Sequence, residues 1–172
     1  HLMEEIVQSI QRHFGYPHVH IFTTHLGRRK LIYEAGSGAR SDALHEQNVA
    51  FDLDDPNGII PFVARTGQTL LANDVSLEPL YRPSILPPVN TKAELAIPLA
   101  FGGHVLGVLD LQSDQVDSFD IADIPLLEAL ASSVAIAIRN AILYRSEIWR
   151  RTVTDSFHNI AGLVSANAAL DE

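Results

Sequence analysis

The sequence predicts an α+β domain: an antiparallel β-sheet with terminal helices packed on one face and a second covering segment on the other. Three observations point there. "AELAIPLAFGGHVLGVLDLQS" (93–113) is two apolar runs joined at Gly102-Gly103 with one acid, Asp110, set into the second. A hairpin with one wet face alternates apolar with polar, and this one does not, so both its faces are covered. A helix followed by a hairpin opens the chain, and a stretch free of Gly and Pro from 126 to 161 reads as one long helix.

In chain order, Met3, Ile6, Val7, Ile10 and Phe14 recur at three- and four-residue steps on one helical face, and Gly15 and Pro17 end that helix. "HVHIFTT" (18–24) and "RKLIYEAG" (29–36) read as strands joined through "HLGRR", with Gly27 at the tip. The Gly-, Ser- and Asp-rich residues 36–48 read as loop, followed by a strand at 49–53. Asp55 and Pro56 stand as N-cap and first residue of a short helix that carries Ile59, Ile60, Phe62 and Val63 to Gly67. "QTLLANDV" (68–75) holds a short strand. Residues 76–92 contain Pro79, Pro83, Pro87 and Pro88 yet keep Leu77, Leu80, Tyr81, Ile85, Leu86 and Val89, so they read as irregular structure packed onto the domain.

A two-residue Gly-Gly turn sets Phe101 opposite His104. By alternation Leu95, Ile97, Leu99, Leu106, Val108 and Asp110 then share one face, and Ala96, Pro98, Ala100, Val105, Gly107, Leu109 and Leu111 the other. The small residues of the second set assign it to the terminal helices, so the Asp110 face looks toward residues 55–92, and Glu94 points away from Asp110. After Asp120 a helix buries Ile124, Leu127, Leu130, Ala131, Val134, Ile138 and Ala141. Some forty helical residues span roughly 60 Å, twice a small domain's diameter. Its far half is expected to leave the domain and pair with a second copy, giving a homodimer through the helices at 3–14 and 126–161.

Composition narrows the function. The 172 residues, 47% hydrophobic, suit one domain, and 21 acids against 12 Lys plus Arg give a net charge of −9, which argues against a nucleic-acid face or an anionic-membrane face. The absence of cysteine excludes disulfides, thiolate zinc sites, thiol catalysis and thioether attachment of a chromophore. No apolar run of membrane-span length or signal segment stands out, so a cytoplasmic domain is expected. There is no Gly-rich phosphate loop, HExxH or Gly-x-Ser-x-Gly turn, and no enzyme activity is expected.

The order of elements, the 93–113 ribbon and the following "F-D-x-x-D-x-x-L-L-E-A-L-A-S-S-V-A-I-A-I-R-N-A" resemble a GAF domain, the sensor module of cyclic-nucleotide phosphodiesterases, phytochromes and many bacterial signalling kinases. "GYPHVHIF" (15–22) and "ANDV" (72–75) sit where that family places similar words. The resemblance covers residues 3–145. It implies a GAF/PAS-like sheet of about six strands with a small-molecule pocket on the face away from the helices. Residues 146–172 are then a helical linker into a following module, because 155–172 resemble the opening helix of another GAF or PAS-like unit. The whole protein would be a bacterial multi-module signalling protein such as a two-component sensor histidine kinase.

The resemblance also limits ligands. Asn73 is followed by Asp74, and Phe119-Asp120 lacks the Asp-Glu pair that marks cyclic-nucleotide binders; bilin attachment and the cysteine chemistry of GAF-fold methionine sulfoxide reductases need a residue that is absent. No cofactor is expected. His18 and His20 project to one face of a strand and could serve a haem or metal sensor, but a metal needs three or four ligands and Glu34 and Asp42 lack the spacing. His104 reads as a solvent-facing strand end, and His158 lacks the Glu-Leu-Arg-Thr-Pro run of a phosphoacceptor. Asp110, an acid in an apolar strand, demands a partner. The expected pocket is Leu95, Ile97, Val108 and Asp110 from the sheet, with Ile59, Phe62, Val63, Tyr81 and Leu86 from the cover. Arg65 and Asn73 are further polar candidates there. A void of some 300 Å³ or more beside Asp110 favours a ligand-binding sensor; a filled site favours a purely structural dimerisation module.

Overall fold

A computed structural model describes residues 2–168, with side-chain surroundings for 2–154. The surroundings of His158 and of the second-module resemblance at 155–172 lie outside those described side chains. Helix α1 (Leu2–Phe14) precedes strands β1 (His18–His25) and β2 (Lys30–Ser37), followed by α2 (Ser41–Glu46) and β3 (Ala50–Asp52). Then come α3 (Ile59–Thr66), β4 (Leu70–Ala72), β5 (Ala93–Phe101), β6 (His104–Ser113) and α4 (Ile124–Ala168). The six strands form one antiparallel sheet in the order β3-β2-β1-β6-β5-β4. Residues up to Ile136 make one unit, and Ala137 onward, the rest of α4, a second.

The faces of the central ribbon differ from the sequence expectation by one residue. Phe101 does oppose His104 across Gly102 and Gly103, whose φ angles are 58° and 79°. Ala100 pairs with Val105, but Leu99 pairs with Gly107, so Leu106 is an extra residue, a β-bulge. Beyond the bulge every facing is exchanged. Leu95 opposes Leu111 and Ile97 opposes Leu109, whereas Asp110 opposes Ala96 and Val108 opposes Pro98. Leu95 and Ile97 therefore lie on the opposite face from Val108 and Asp110. Glu94, paired with Gln112, lies on the Asp110 face.

Both faces are covered, as the unbroken apolar runs require. One carries Val19, Ile21, Leu95, Ile97, Leu99, Leu109 and Leu111, all essentially without exposure, beneath the terminal helices, whose Val7, Ile10, Leu127, Ala131 and Val134 are buried. Each such side chain contributes about 1.5–3 kcal/mol. On the other face Phe22, Ala96 and Val108 form one cluster with Ile59, Ile60 and Val63 of α3 and with Leu44, Leu53, Val75 and Leu86. Gly107 lets the central strands approach: a Cβ there would collide with the Phe22 carbonyl oxygen and lie 3.3 Å from Leu99 Cδ1.

Local chemistry accounts for the other departures. Residues 36–48 hold α2 rather than loop alone, because the Ser41 hydroxyl donates to the Gly36 carbonyl (2.8 Å) and meets the Tyr33 hydroxyl (2.8 Å), while Leu44 is buried. Asp55 does not cap a helix. Its carboxylate accepts from the Asn57 amide at 2.8 Å in an Asx turn, and α3 starts after Gly58, whose φ is 99°. The first hairpin turns through Leu26–Arg28, with Arg29 rather than Gly27 left-handed (φ 49°). Of the covering segment's apolar residues Leu86 is buried, but Leu77, Ile85 and Val89 are 59–89% exposed. Residues 121–154 also contain an 18-residue window of mean hydropathy 1.8, long and apolar enough to cross a bilayer, which corrects the expectation of no such run; a soluble protein's core helix meets that standard too.

The close approach at Gly107 yields a direct comparison. Gly107→Ala should destabilise the domain by about 1–3 kcal/mol through overpacking. Gly27→Ala, with nothing within 4 Å of the added carbon, should leave the urea midpoint nearly unchanged.

Candidate functional site

Asp110 has no solvent exposure. Its Oδ2 accepts from His20 Nδ1 (3.0 Å) on β1 and from Gln112 Nε2 (2.8 Å) on its own strand. Gln112 Oε1 in turn accepts from Arg40 Nη1 (2.9 Å) and Thr91 Oγ1 (2.8 Å), and Arg40 Nη2 donates to Thr91 Oγ1 at 3.1 Å. Arg40, only 2% exposed, is presented by the residue just before α2. Glu94, 4% exposed, completes the cluster beside Asp110.

Burial first, then the adjacent Asp110, raise the Glu94 pKa well above its ordinary value, and Arg40 opposes them more weakly. His18 is lowered to about 4, first by burial and then by Arg40 and His20, so it is neutral at pH 7. Burial also lowers Arg40 and raises Tyr81. With His20 Nδ1 held against Asp110, its Nε2 is buried without a partner; so is Arg40 Nε.

This cluster floors a cavity of about 290 Å³. Its walls are apolar, with Phe22, Leu44, Phe51 and Ile60 among them, and Asp55, Asn57 and Arg82 also line it. Phe22 packs edge-on to Tyr33 (5.7 Å between centroids) and tilted on Phe51 (5.2 Å). Among the residues expected in the pocket, Ile59, Tyr81, Leu86 and Asp110 line this cavity. Phe62, Val63 and Val108 lie in or against the adjoining apolar cluster instead. Leu95 and Ile97 are on the far face, carried there by the bulge. Arg65 bonds the Leu53 and Asp55 carbonyls, and Asn73 exchanges bonds with the Phe119 backbone, so both brace the chain. Among the described residues no group of three or more His, Asp or Glu is placed to hold a metal. Sequence reasoning missed Arg40, which stands in a stretch that reads as loop, along with Thr91 and Gln112.

Comparison with known proteins agrees with this architecture. The GAF domain profile matches residues 1–138. The chain belongs to the GAF family. A curated relative, the formate hydrogenlyase transcriptional activator of Salmonella typhimurium (strain SL1344), is 27% identical over 149 residues, 84% of this chain. The chain spans about a fifth, 21%, of that relative's length. Among solved structures, the GAF domain from the Acinetobacter phosphoenolpyruvate-protein phosphotransferase aligns with a TM-score of 0.71 at 16% identity, over 83% of each chain. The type II free methionine-R-sulfoxide reductase from Thermoplasma acidophilum aligns at 0.68 and 23% identity, over 81% of this chain and 91% of its own. At these identities the structures share the fold alone, so a GAF fold can also carry an enzyme.

The buried titratable groups give stability two opposed pH dependences. His18, lowered from its unfolded value to about 4, leaves the unfolded chain binding more protons between roughly pH 6.5 and 4, so stability falls as pH falls through that window. Glu94 is raised, so its contribution is full below its unfolded pKa and is lost as pH rises. His18→Gln should flatten the acid side of a stability profile by about 1–3 kcal/mol, and Glu94→Gln should flatten the rising-pH side. Urea midpoints between pH 4 and 8 check both.

Proposed function

We propose that this GAF domain is a non-catalytic, cytoplasmic sensory module that holds a small molecule between sheet and cover. Binding is relayed along the long C-terminal helix to a following signalling module. One observation carries the reading: the cavity of about 290 Å³ is floored by buried, charged, hydrogen-bonding side chains rather than filled by apolar ones. A cavity that served packing alone would be lined with apolar groups, because buried polar atoms without partners destabilise. The absence of cysteine supports a non-catalytic role beside the sulfoxide reductases of the same fold.

A ligand acts on the helix only by differential affinity for two arrangements of the domain. A coupling of about 1–3 kcal/mol, a 5- to 150-fold change in affinity, is the usual range. The helix relays most directly as part of a homodimer through the helices at 3–14 and 126–161. Support for that assembly is the row of exposed apolar residues on α4: Ile142, Leu143, Tyr144, Ile148 and Trp149, each 47–70% exposed. That much apolar surface on one helix calls for a partner.

Two measurements test this. The purified chain, dialysed against a concentrated metabolite extract and analysed by mass spectrometry after denaturation, should retain a small molecule that Asp110→Asn loses. Retention of nothing, or of the same set by both proteins, contradicts ligand binding. Light scattering should give the mass of a dimer, and Leu143→Glu with Trp149→Glu should shift it toward monomer; a monomeric wild-type chain contradicts the dimer.

A further inference from the structure

We propose that the cavity takes a small organic cation, an ammonium or amidinium group on a short apolar body, whose N–H groups are met by the carboxyl groups of Glu94 and Asp110. This names the ligand class of the site above and rests on the ligand-binding reading.

The floor of the cavity gathers acceptors. Asp110 Oδ2 already accepts from His20 and Gln112, and Oδ1 has no N–H donor. The Glu94 carboxyl stands beside it and lines the same cavity. His20, 2% exposed, lines the same cavity with its Nε2 unpartnered. The donors are largely committed: Arg40 Nη1 and Nη2 serve Gln112 and Thr91, and Gln112 Nε2 serves Asp110. Of the floor's donors Arg40 Nε is left, and Arg82 in the wall already serves Asn57 and the Pro79 and Tyr81 carbonyls, so an anion would meet two carboxyl groups. A cation with two or three N–H groups meets the acceptors of both carboxyl groups instead.

Charge points the same way. The charged and titratable groups around Glu94 are Asp110 from β6, His20 from β1, Arg40 ahead of α2, and Asp55, Glu78, Tyr81 and Arg82 from the cover. Burial first, then Asp110, raise the Glu94 pKa well above its ordinary value against the weaker pull of Arg40. A bound cation lets Glu94 ionise, so that two carboxylates face the ligand and Arg40 and the site is neutral. One proton leaves and no covalent bond changes. The aromatic faces of Phe22, Phe51 and Tyr81 in the walls also favour a cation over an anion.

The test is calorimetric titration of the full 172-residue chain. The probes are n-butylammonium and benzamidinium against butyrate and benzoate, in two buffers of different ionisation enthalpy. The cations should bind with release of up to one proton, and their affinity should rise by up to tenfold per pH unit below the Glu94 pKa. Glu94→Gln, isosteric and checked for folding by circular dichroism, should bind without proton release and without that pH dependence. Should that variant not fold, the wild-type proton count in the two buffers decides by itself. Binding of the carboxylates in preference to the cations, or of the cations with no proton released, overturns the proposal. So does recovery from the metabolite extract of a ligand without a cationic group, which leaves the ligand-binding reading standing. Failure of every probe together with an empty extract experiment overturns both.

Discussion

A carboxylate taken fully out of water costs several kcal/mol unless its oxygens are met by donors, and Asp110 has no exposure at all. Much of the inner face of the domain follows from supplying those donors. The bulge at Leu106 turns Asp110 toward the cover instead of the terminal helices. Gly36 leaves room for His20, since a Cβ there would lie 2.8 Å from the imidazole Cδ2. Ser41 anchors α2 to β2, and the anchored helix presents Arg40 to Gln112, which holds the same carboxylate oxygen as His20.

The two faces of the sheet thus have different chemistry from one ribbon. The helix-facing side is largely apolar and densely filled, with Ser37 bonded to the Val7 carbonyl of α1. The cover-facing side is divided: Phe22, Ala96 and Val108 pack on α3, while the row beyond them, His20, Asp110, Glu94 and Gln112, meets an open volume. That volume is bounded by β1, β5, β6, the start of α2 and the cover at once, so the proposed ligand would touch all of them. Any difference in its affinity between two arrangements of these elements is available to bias the domain.

Much of this was legible in the sequence, and the failures have physical causes. The unbroken apolar runs at 93–113 announced a sheet covered on both sides, and the demand of Asp110 for partners followed from its surroundings. The exchange of Leu95 and Ile97 to the far face did not, because Gly102-Gly103 predicts the turn correctly while nothing in "HVLGV" distinguishes a bulged residue from a paired one. Arg40 was hidden for a different reason. A six-residue helix in a Gly- and Ser-rich stretch has no periodicity to read, and its position depends on a tertiary bond from Tyr33 to Ser41. Short helices and side-chain networks are set by contacts distant in sequence.

GAF membership accounts for the scaffold, and the polar floor is what this chain has built on it. The claim on which the account turns is that burial beside Asp110 holds the pKa of the Glu94 carboxyl well above its ordinary value. Infrared difference spectroscopy, comparing the wild-type chain with Glu94→Gln, reads this directly. The account predicts a protonated-carboxyl C=O band at pH 7 that disappears in the variant; a wild-type spectrum with no such band would contradict it.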